Sequence, residues 1–446
     1  MPHIAPAHSF CLPKDVAHIL SVLYQAGFEA YVVGGCVRDM LLHQTPLDYD
    51  IATSALPSEV SAIFERTIPT GLKHGTLTIM LHGVGYEVTS FRVDGEYSHF
   101  RAPKNVRFVR SLSEDVARRD FKMNALAYAP HSGLVDLVGG VEDVRGRRIS
   151  CVGEARARLE EDALRILRAL RFASTLGFEI EAHTHSAILA CSPLLARISA
   201  ERVRAELDKL LVGRHAHAVL TRYKGVLEVV LPELAGLDSK AWEGACARLV
   251  GLLEAEAHYP SCLAWAWLIG ALRGDEAILK RLRFDKRGAE RIIRVVRVAG
   301  QMEAFIESCA RGSSRRGGSE ARREVRGRRG AQKGEGLGKG EDRAGRIFCR
   351  KILSHNGIEL CALALRLSAA GHSLQDTLES IYRTEGCLNL RTLALGGADI
   401  IALGVPQGRR VGEILENLLR AVIEERAPNT RDELLAYVGK SLAGQT

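Results

Sequence analysis

Tyr31-Val-Val-Gly-Gly-Cys-Val-Arg-Asp39, followed shortly by Asp48-Tyr-Asp50, is the stretch on which the reading of this chain turns. Ala30-Tyr-Val-Val reads as a strand running into a Gly-Gly turn, and residues 37–42 have the apolar spacing of a helix start. Glycines at that junction permit close approach of the backbone to an anion, with amides of the helix start and the guanidinium fork of Arg38 beside it. In a strand, positions i and i+2 point to one face, so Asp48 and Asp50 are expected to present two carboxylates together. Two like charges that close are costly unless a proton or cation intervenes. A hard ion such as Mg²⁺ fits where substrate phosphates complete its shell. A pair of solvated turn aspartates after Pro46 is the plainer alternative. Neither GxxxxGK[ST] nor GxGxxG is present, so neither a P-loop nor a dinucleotide-binding turn is indicated.

Around this stretch the first 150 residues read as a mixed α/β domain. Residues 13–30 carry a helical spacing of apolar side chains (Val16, Ile19, Leu20, Leu23). Thr76–Leu81, Tyr86–Phe91 and Val106–Phe108 read as strands, the first two joined through Gly83 and Gly85 as a hairpin. Glu87 shares a strand face with Thr89, so it is either a third acid beside the aspartate pair or a solvated edge residue. From Glu154 the pattern is helical almost without exception. One stripe (Leu159, Leu164, Leu167, Leu170, Phe172, Leu176) ends at Gly177, and further helices are expected over 181–191, 199–212, 215–231, 240–256 and 262–272. The division expected is a head over 1–150, a helical neck over 151–215, a helical body over 216–310 and a helical tail over 347–446.

Composition bounds the class. The 446 residues are 46% hydrophobic and 26% charged, which excludes a wholly disordered or collagen-like chain. No apolar run is long enough to span a bilayer, and residues 1–8 lack the features of a secretory signal. Ten cysteines stand singly, without a CxxC pair; thiols of a reducing, cytoplasmic compartment are the natural reading, with no disulfides and no zinc. The formal charge of +8 is concentrated in residues 311–346, which hold twelve Arg or Lys, five Asp or Glu and ten Gly. Such a segment cannot bury enough apolar surface to repay its ordering entropy, and is expected to be a disordered insertion. The global charge therefore says little about any active-site cleft. His355 and His372 are isolated, so no attached metal-dependent phosphohydrolase domain is expected.

The order of motifs then matters more than any one of them. Gly34-Gly35-x2-Arg38-Asp39 and Asp48-x-Asp50 are followed by Arg118-Arg119-Asp120-Phe121-x2-Asn124-Ala125 and Asp136-Leu-Val-Gly-Gly-Val-Glu-Asp143. Glu161-Asp162-x2-Arg165-x2-Arg168 and Glu201-Arg202-x3-Glu206-Leu207 complete the series. Together they closely resemble the class II tRNA nucleotidyltransferase and bacterial poly(A) polymerase family, within the polymerase-beta-like superfamily. The likeness spans roughly residues 30–210. It implies an α/β nucleotidyltransferase head followed by all-α neck, body and tail domains, and addition of CCA from CTP and ATP to the 3′ end of tRNA with release of pyrophosphate. A-only addition and poly(A) synthesis share the same motifs; a non-catalytic RNA-binding protein is the alternative of another class.

Residue by residue, the resemblance assigns Asp48 and Asp50 to two Mg²⁺ ions, with Glu87 as an additional carboxylate. Gly34, Gly35 and Arg38 would grip the triphosphate, and Arg119 belongs to the same nucleotide-binding set. Asp120 and Asn124 would hold the ribose; Arg118–Asp120 reads as the entry of a helix into the core, where Asp120 could equally be a helix cap. In a continuous helix Glu161, Asp162 and Arg165 would form one cluster. The resemblance makes Asp162 and Arg165 a protein template for the base edge, with Arg168 orienting the pair or facing phosphate; a surface salt bridge is the bland alternative. The Glu201–Glu206 motif would support the neck helices. Arg92–Arg101 resembles a flexible loop that shifts the pocket from C to A, with Asp94, Tyr97 and Arg101 as its candidates, although His99-Phe100-Arg101 departs from the acidic-Arg-Arg pattern of relatives. Arg291, Arg294 and Arg297, three apart on one helix flank, would touch the acceptor–TΨC region of tRNA. Nothing in the sequence speaks to oligomeric state.

Overall fold

A computed structural model describes all residues except 1–2, 5–9, 96, 99–101, 104–105, 255–257, 321–338, 369–371 and 444–446. The elements of the first 150 residues run β1 (His3–Ile4), α1 (Lys14–Gln25), β2 (Ala30–Val33), α2 (Gly35–Leu41), β3 (Ile51–Thr53), α3 (Pro57–Ile63), β4 (Thr67–Gly71), β5 (Thr76–Leu81), β6 (Val84–Ser90), β7 (Arg92–Asp94), β8 (Tyr97–Ser98), β9 (Ala102–Pro103) and β10 (Val106–Phe108). They continue through α4 (Leu112–Ala117), β11 (Leu126–Ala129), β12 (Gly133–Asp136), α5 (Gly140–Arg145) and β13 (Arg148–Ile149).

One eight-stranded sheet, in the order β1-β12-β11-β2-β3-β6-β5-β4, organises this region. Its pairs are antiparallel except β3 with β6, which run parallel. Every residue of β2 and β11 is buried, which is why both read as unbroken apolar runs rather than alternating ones. The apolar stripe of α1 (Val16, Ile19, Leu20, Leu23) is fully buried and packs against β2. The β5–β6 hairpin turns through His82 and Gly83, both at positive φ, the geometry that matches the twist of its strands.

The aspartate pair falls outside a strand: Asp48 and Asp50 precede β3, although the Asp50 carbonyl still accepts the Val33 N–H at 2.9 Å. Arg118–Asp120 does not start a helix either. It follows α4, after which Phe121 bridges to Cys151 and a short 3-10 turn covers Lys122–Asn124.

The helical region opens with α6 (Ala155–Glu161) and α7 (Leu164–Leu176), then β14 (Glu179–Ile180), α8 (Ala182–Cys191) and α9 (Ala200–Leu211). The expected stripe is broken at Asp162, which closes α6 in an extended conformation, and α7 ends where expected, on Gly177 at φ 69°. β14 is an exception to the all-helical reading; it pairs in parallel with β13. The segment 215–231 is not one helix but two, Ala216–Arg222 and Lys224–Leu227.

The chain divides into two compact units, Met1–Ala255 with Arg281–Arg283, and Glu256–Lys280 with Phe284–Thr446. The second is largely helical. Its helices Lys286–Glu320 and Lys339–Leu367 enter the basic Gly-rich segment from both sides, so the expectation of a disordered 311–346 is corrected at both ends. Residues 321–338 lie outside the described residues. Among the described residues no helix is long and apolar enough to cross a membrane.

Candidate active site

The Gly-Gly turn places the first wall of a cleft of about 740 Å³. Gly34 sits at φ 77°, a conformation that favours glycine, and an added Cβ would meet the Arg119 Nη1 at 3.4 Å. Its own N–H donates to the Leu126 carbonyl at 3.0 Å, so Gly34 contributes its turn rather than an amide. Arg38, 8% exposed, donates to Asp39 through Nε and Nη2 and to Asn124 Oδ1 through Nη1 at 2.6 Å. The structure thus commits Arg38 to positioning Asn124, where sequence reasoning had assigned it to phosphate alone.

Sheet alternation supplies the second wall. Asp50, Ile51 and Ala52 on the β3 side, and Glu87 and Thr89 of β6, line the cleft, while Val88, between the two β6 residues, is buried beneath. Asp50 keeps access to solvent, yet the atoms crowding its carboxyl desolvate it enough to push its pKa up; Arg119 pulls it back and the Asp48 charge adds to the rise. Among the described residues no three His, Cys, Asp or Glu side chains gather as a metal site. Asp50 lines the cleft and Asp48 does not, but the Asp48 charge is felt at the Asp50 carboxyl, and as two hard oxygen donors they repel in a way a cation would relieve. That fits Mg²⁺, which is commonly held by one or two carboxylates with substrate phosphates and water. Glu87 lines the cleft without joining a third ligand to them.

Arginines dominate the remainder. The cleft is lined by seven of them (Arg38, Arg92, Arg118, Arg119, Arg165, Arg168, Arg202) against four carboxylates (Asp50, Glu87, Asp120, Asp162), an excess suited to a polyanion. Asp115, 1% exposed, accepts from both Arg118 and Arg119. Burial opposes its ionisation, but Arg119 and Arg118 hold its carboxyl below the usual range. Asp120 is desolvated as well, and Arg168, donating to Oδ2 at 2.7 Å, more than compensates. Its other oxygen accepts the Phe121 N–H at 2.8 Å.

The trio expected at the base edge is divided. Glu161 and Arg165 pair at 2.7 Å as the four-residue spacing predicts. Asp162, in the break between α6 and α7, does not pair with Arg165 there: Oδ1 accepts the Leu164 N–H at 3.1 Å and Oδ2 binds Arg202 of α9 at 2.7 Å. Arg165 is held further by the carbonyls of Arg158 and Arg118. Arg202, expected only to support helices, thus lines the cleft, while Glu206 of the same motif pairs with Arg171 at 3.0 Å.

Eleven of the expected residues meet in this cleft: Gly34, Gly35, Arg38, Asp50, Glu87, Arg119, Asp120, Asn124, Asp162, Arg165 and Arg168. His74, Thr76 and Phe172 line it too, and sequence reasoning passed over them. Asp115 was also missed, although its spacing of three and four to Arg118 and Arg119 was a readable signal. The stretch expected as a flexible loop contributes one strand to each of two short antiparallel ladders, β7 with β10 and β8 with β9. Asp94 falls in β7 and Tyr97 in β8; Arg101 lies outside the described residues.

The chain aligns along nearly its whole length with proteins of one kind. The CCA-adding enzyme of Lactiplantibacillus plantarum is 37% identical over 424 residues, 94% of both chains. That of Geobacillus stearothermophilus is 36% identical over 434 residues, 95% of this chain and 96% of its own. The chain belongs to the CCA-adding enzyme and poly(A) polymerase superfamily of class II nucleotidyltransferases. Family models agree: residues 30–150 match the poly A polymerase head domain, and 177–237 match the probable RNA and SrmB-binding site of polymerase A. The crystal structure of the Bacillus stearothermophilus CCA-adding enzyme in complex with CTP, 32% identical, superposes with a TM-score of 0.75 over 97% of this chain and 98% of its own. The Thermotoga maritima CCA-adding enzyme complexed with tRNA, 19% identical, shares the fold at a TM-score of 0.63 over 97% and 96%. The architecture is accordingly that of the superfamily, a mixed α/β nucleotidyltransferase domain followed by largely helical regions.

The second unit holds a larger cavity of about 850 Å³, lined by none of the motif residues above. It shares Lys351 and His355 with a neighbouring one of about 700 Å³. The arginine strip expected to be open to RNA is partly engaged inside this unit. Arg291 stacks on Tyr259 at 3.9 Å and pairs with Glu359 at 3.6 Å. Arg294 donates to the His355 carbonyl at 2.7 Å, just before Gly357 breaks the helix at φ 74°. Arg297 lines the smaller cavity.

Proposed function

We propose that this nucleotidyltransferase adds CCA to the 3′ end of tRNA from CTP and ATP, releasing pyrophosphate at each step. The observation that carries the reading is the meeting, in one arginine-rich cleft, of Asp50 and Glu87 from the sheet with Asp162, Arg165 and Arg202 from the neck helices. Similarity to CCA-adding enzymes along nearly the whole chain supports it.

Asp48 and Asp50 would hold two Mg²⁺ ions, whose chemistry when bound is to acidify a 3′-hydroxyl and offset charge on the α-phosphate and leaving pyrophosphate. The RNA 3′-oxygen bonds to the α-phosphorus as the α–β bridge breaks. Arg118 and Arg119, anchored by Asp115, face the triphosphate; Asp120 and Asn124 face the ribose. Asp162 accepts from the exocyclic amine that C and A carry and U and G lack at the matching position. A carboxylate has acceptor sites beyond those used by Leu164 and Arg202. Arg165 stands beside it with its guanidinium fixed in advance by Glu161 and two carbonyls. A wrong base leaves the remaining acceptor site of Asp162 unmatched in a partly desolvated pocket, and that cost discriminates.

For the body of the tRNA, the joined cavities of the second unit present Arg297, Lys351, His355, Arg391 and Arg420, groups that contact phosphate without reading sequence. The test is extension of transcripts ending before CCA, after C and after CC, with an unrelated oligoribonucleotide alongside, using single and mixed NTPs. Arrest after CCA supports the proposal. Addition only to the transcript ending after CC would make this an A-adding enzyme, and long A tails on either RNA a poly(A) polymerase.

A further inference from the structure

Phe172 carries three guanidiniums. Arg171 lies 4.1 Å from its ring centroid, and Arg38 and Arg168 each lie 5.5 Å away, all within the range at which a cation is drawn to an aromatic ring. The ring lines the cleft and meets the fully buried Phe121 edge-on, centroids 5.9 Å apart. Two of these arginines end on the pair of side chains assigned above to the sugar. Arg38 donates to Asn124 Oδ1 at 2.6 Å, and Arg168 donates to Asp120 Oδ2 at 2.7 Å. Phe121, against which the ring is braced, immediately follows Asp120 and donates its N–H to Asp120 Oδ1.

We infer that Phe172 is a positioning residue for ribose selection, one ring that sets two arginine arms and through them the places of Asn124 and Asp120. Three like charges converge on this ring, and their acidic partners (Asp39, Asp120, Glu206) lie on separate elements. The ring is the shared apolar surface that holds the arms to a common locus. Arg171 shows how much the arrangement depends on its surroundings: burial pulls the pKa of its guanidinium down, and Glu206 opposes that fall. A leucine or methionine fills similar space without offering a face to a cation, so it removes the positioning while keeping the packing. The inference rests on the reading that Asp120 and Asn124 face the sugar.

The experiment compares kcat/KM for CTP and dCTP on a tRNA transcript lacking CCA in the parent and in Phe172→Leu, Phe172→Met, Phe172→Tyr and Asn124→Ala, with thermal melting of each. The expected result is a CTP/dCTP ratio reduced about tenfold in both Leu and Met variants, the size of effect that removing cation–ring attraction of this kind produces. Most of that change should appear as a higher KM for CTP, and Tyr, which keeps the ring, should restore the parental ratio. A purely structural role would lower melting and total activity and leave the ratio alone. An unchanged ratio in Leu and Met, with Asn124→Ala shifting it, overturns the role of Phe172 alone. An unchanged ratio in all of them, Asn124→Ala included, overturns the sugar assignment and the inference with it. Should Phe172→Leu fail to fold, Phe172→Met against Phe172→Tyr decides by the same ratio.

Discussion

Replacing Asp162 by alanine removes three things at once, and each has its own size. The carboxylate accepts the Leu164 N–H at the start of α7, a capping bond worth about 1 kcal/mol. It pairs with Arg202 at 2.7 Å, with side chains 16% and 35% exposed, worth about 0.2–1 kcal/mol at such a partly open position. Asp162→Ala should therefore lose about 1–2 kcal/mol of stability, a modest fall for a folded enzyme. The third loss is the acceptor for the base amine, worth about 1–3 kcal/mol in discrimination, or roughly tenfold to a hundredfold. Arg202→Ala separates these effects, because it removes the ion pair and leaves both the cap and the acceptor. It should cost under about 1 kcal/mol of stability and reduce selectivity only in part, by loosening Asp162. The assay is kcat/KM for all four NTPs on a tRNA ending after the second C, with urea unfolding in parallel. A ratio of ATP to UTP and GTP that stays at the parental value in folded Asp162→Ala protein would refute the template role, whatever happens to stability.

Asp50→Ala should abolish transfer of both C and A while leaving melting near the parental value, since the side chain keeps solvent access; turnover within about tenfold of the parent would contradict its metal role. Asp115→Asn strands two arginines beside a buried site and should cost about 2–3 kcal/mol in urea unfolding, toward the low end for a broken buried pair because both arginines keep some solvent. For Glu181, desolvation raises the pKa, but the amides of His183 and Thr184 and the His183 ring together hold it down to about 2. A depressed folded-state value gives stability that is present above the ordinary glutamate range and lost as pH falls through about 2, so Glu181→Gln should lower the melting temperature at pH 7 and have little effect near pH 2. Lys351→Ala combined with Arg391→Ala should weaken tRNA binding, with CTP binding unaffected. Its salt dependence should flatten by about one logarithmic unit of slope for each phosphate no longer neutralised.

What could be read ahead of the structure followed from local rules. β2, the Gly34 turn, the β5–β6 hairpin and the end of α7 at Gly177 each depend on a few neighbouring residues, and each appears where periodicity and glycine chemistry put it, save that Gly85, expected in the hairpin's turn, pairs with Met80 inside β6. Strand alternation sets the faces of Glu87 and Thr89 and helix spacing those of Arg165 and Arg168, whereas Asp50, Arg119, Asp120 and Asp162 reach the cleft from turns and breaks beside the regular elements. The failures came where long-range partners override local pattern. Glu161-Asp162-Ala163-Leu164-Arg165 has good helical spacing, but Arg202, forty residues on, and the Leu164 amide take the Asp162 carboxylate and break the helix there. The Arg118-Arg119-Asp120 segment has a helix-like apolar run after it, yet Phe121 bridges to Cys151 and the chain continues as a 3-10 turn. Arg294 reads as one of three arginines on a helix flank facing RNA until Gly357 opens a carbonyl at His355 for it to cap. The function of Phe172 was hidden for the same reason: as one member of an apolar stripe it looks like core, and only the meeting of α2 and α7 brings Arg38 to its ring.

The most direct test of the central proposal is the length of the product made on a tRNA transcript lacking CCA when CTP and ATP are supplied together. The account predicts two C additions and one A, then arrest, with the unrelated oligoribonucleotide left unextended and all addition lost in Asp50→Ala. Continued A addition beyond the third nucleotide, or equal extension of the unrelated RNA, would contradict it.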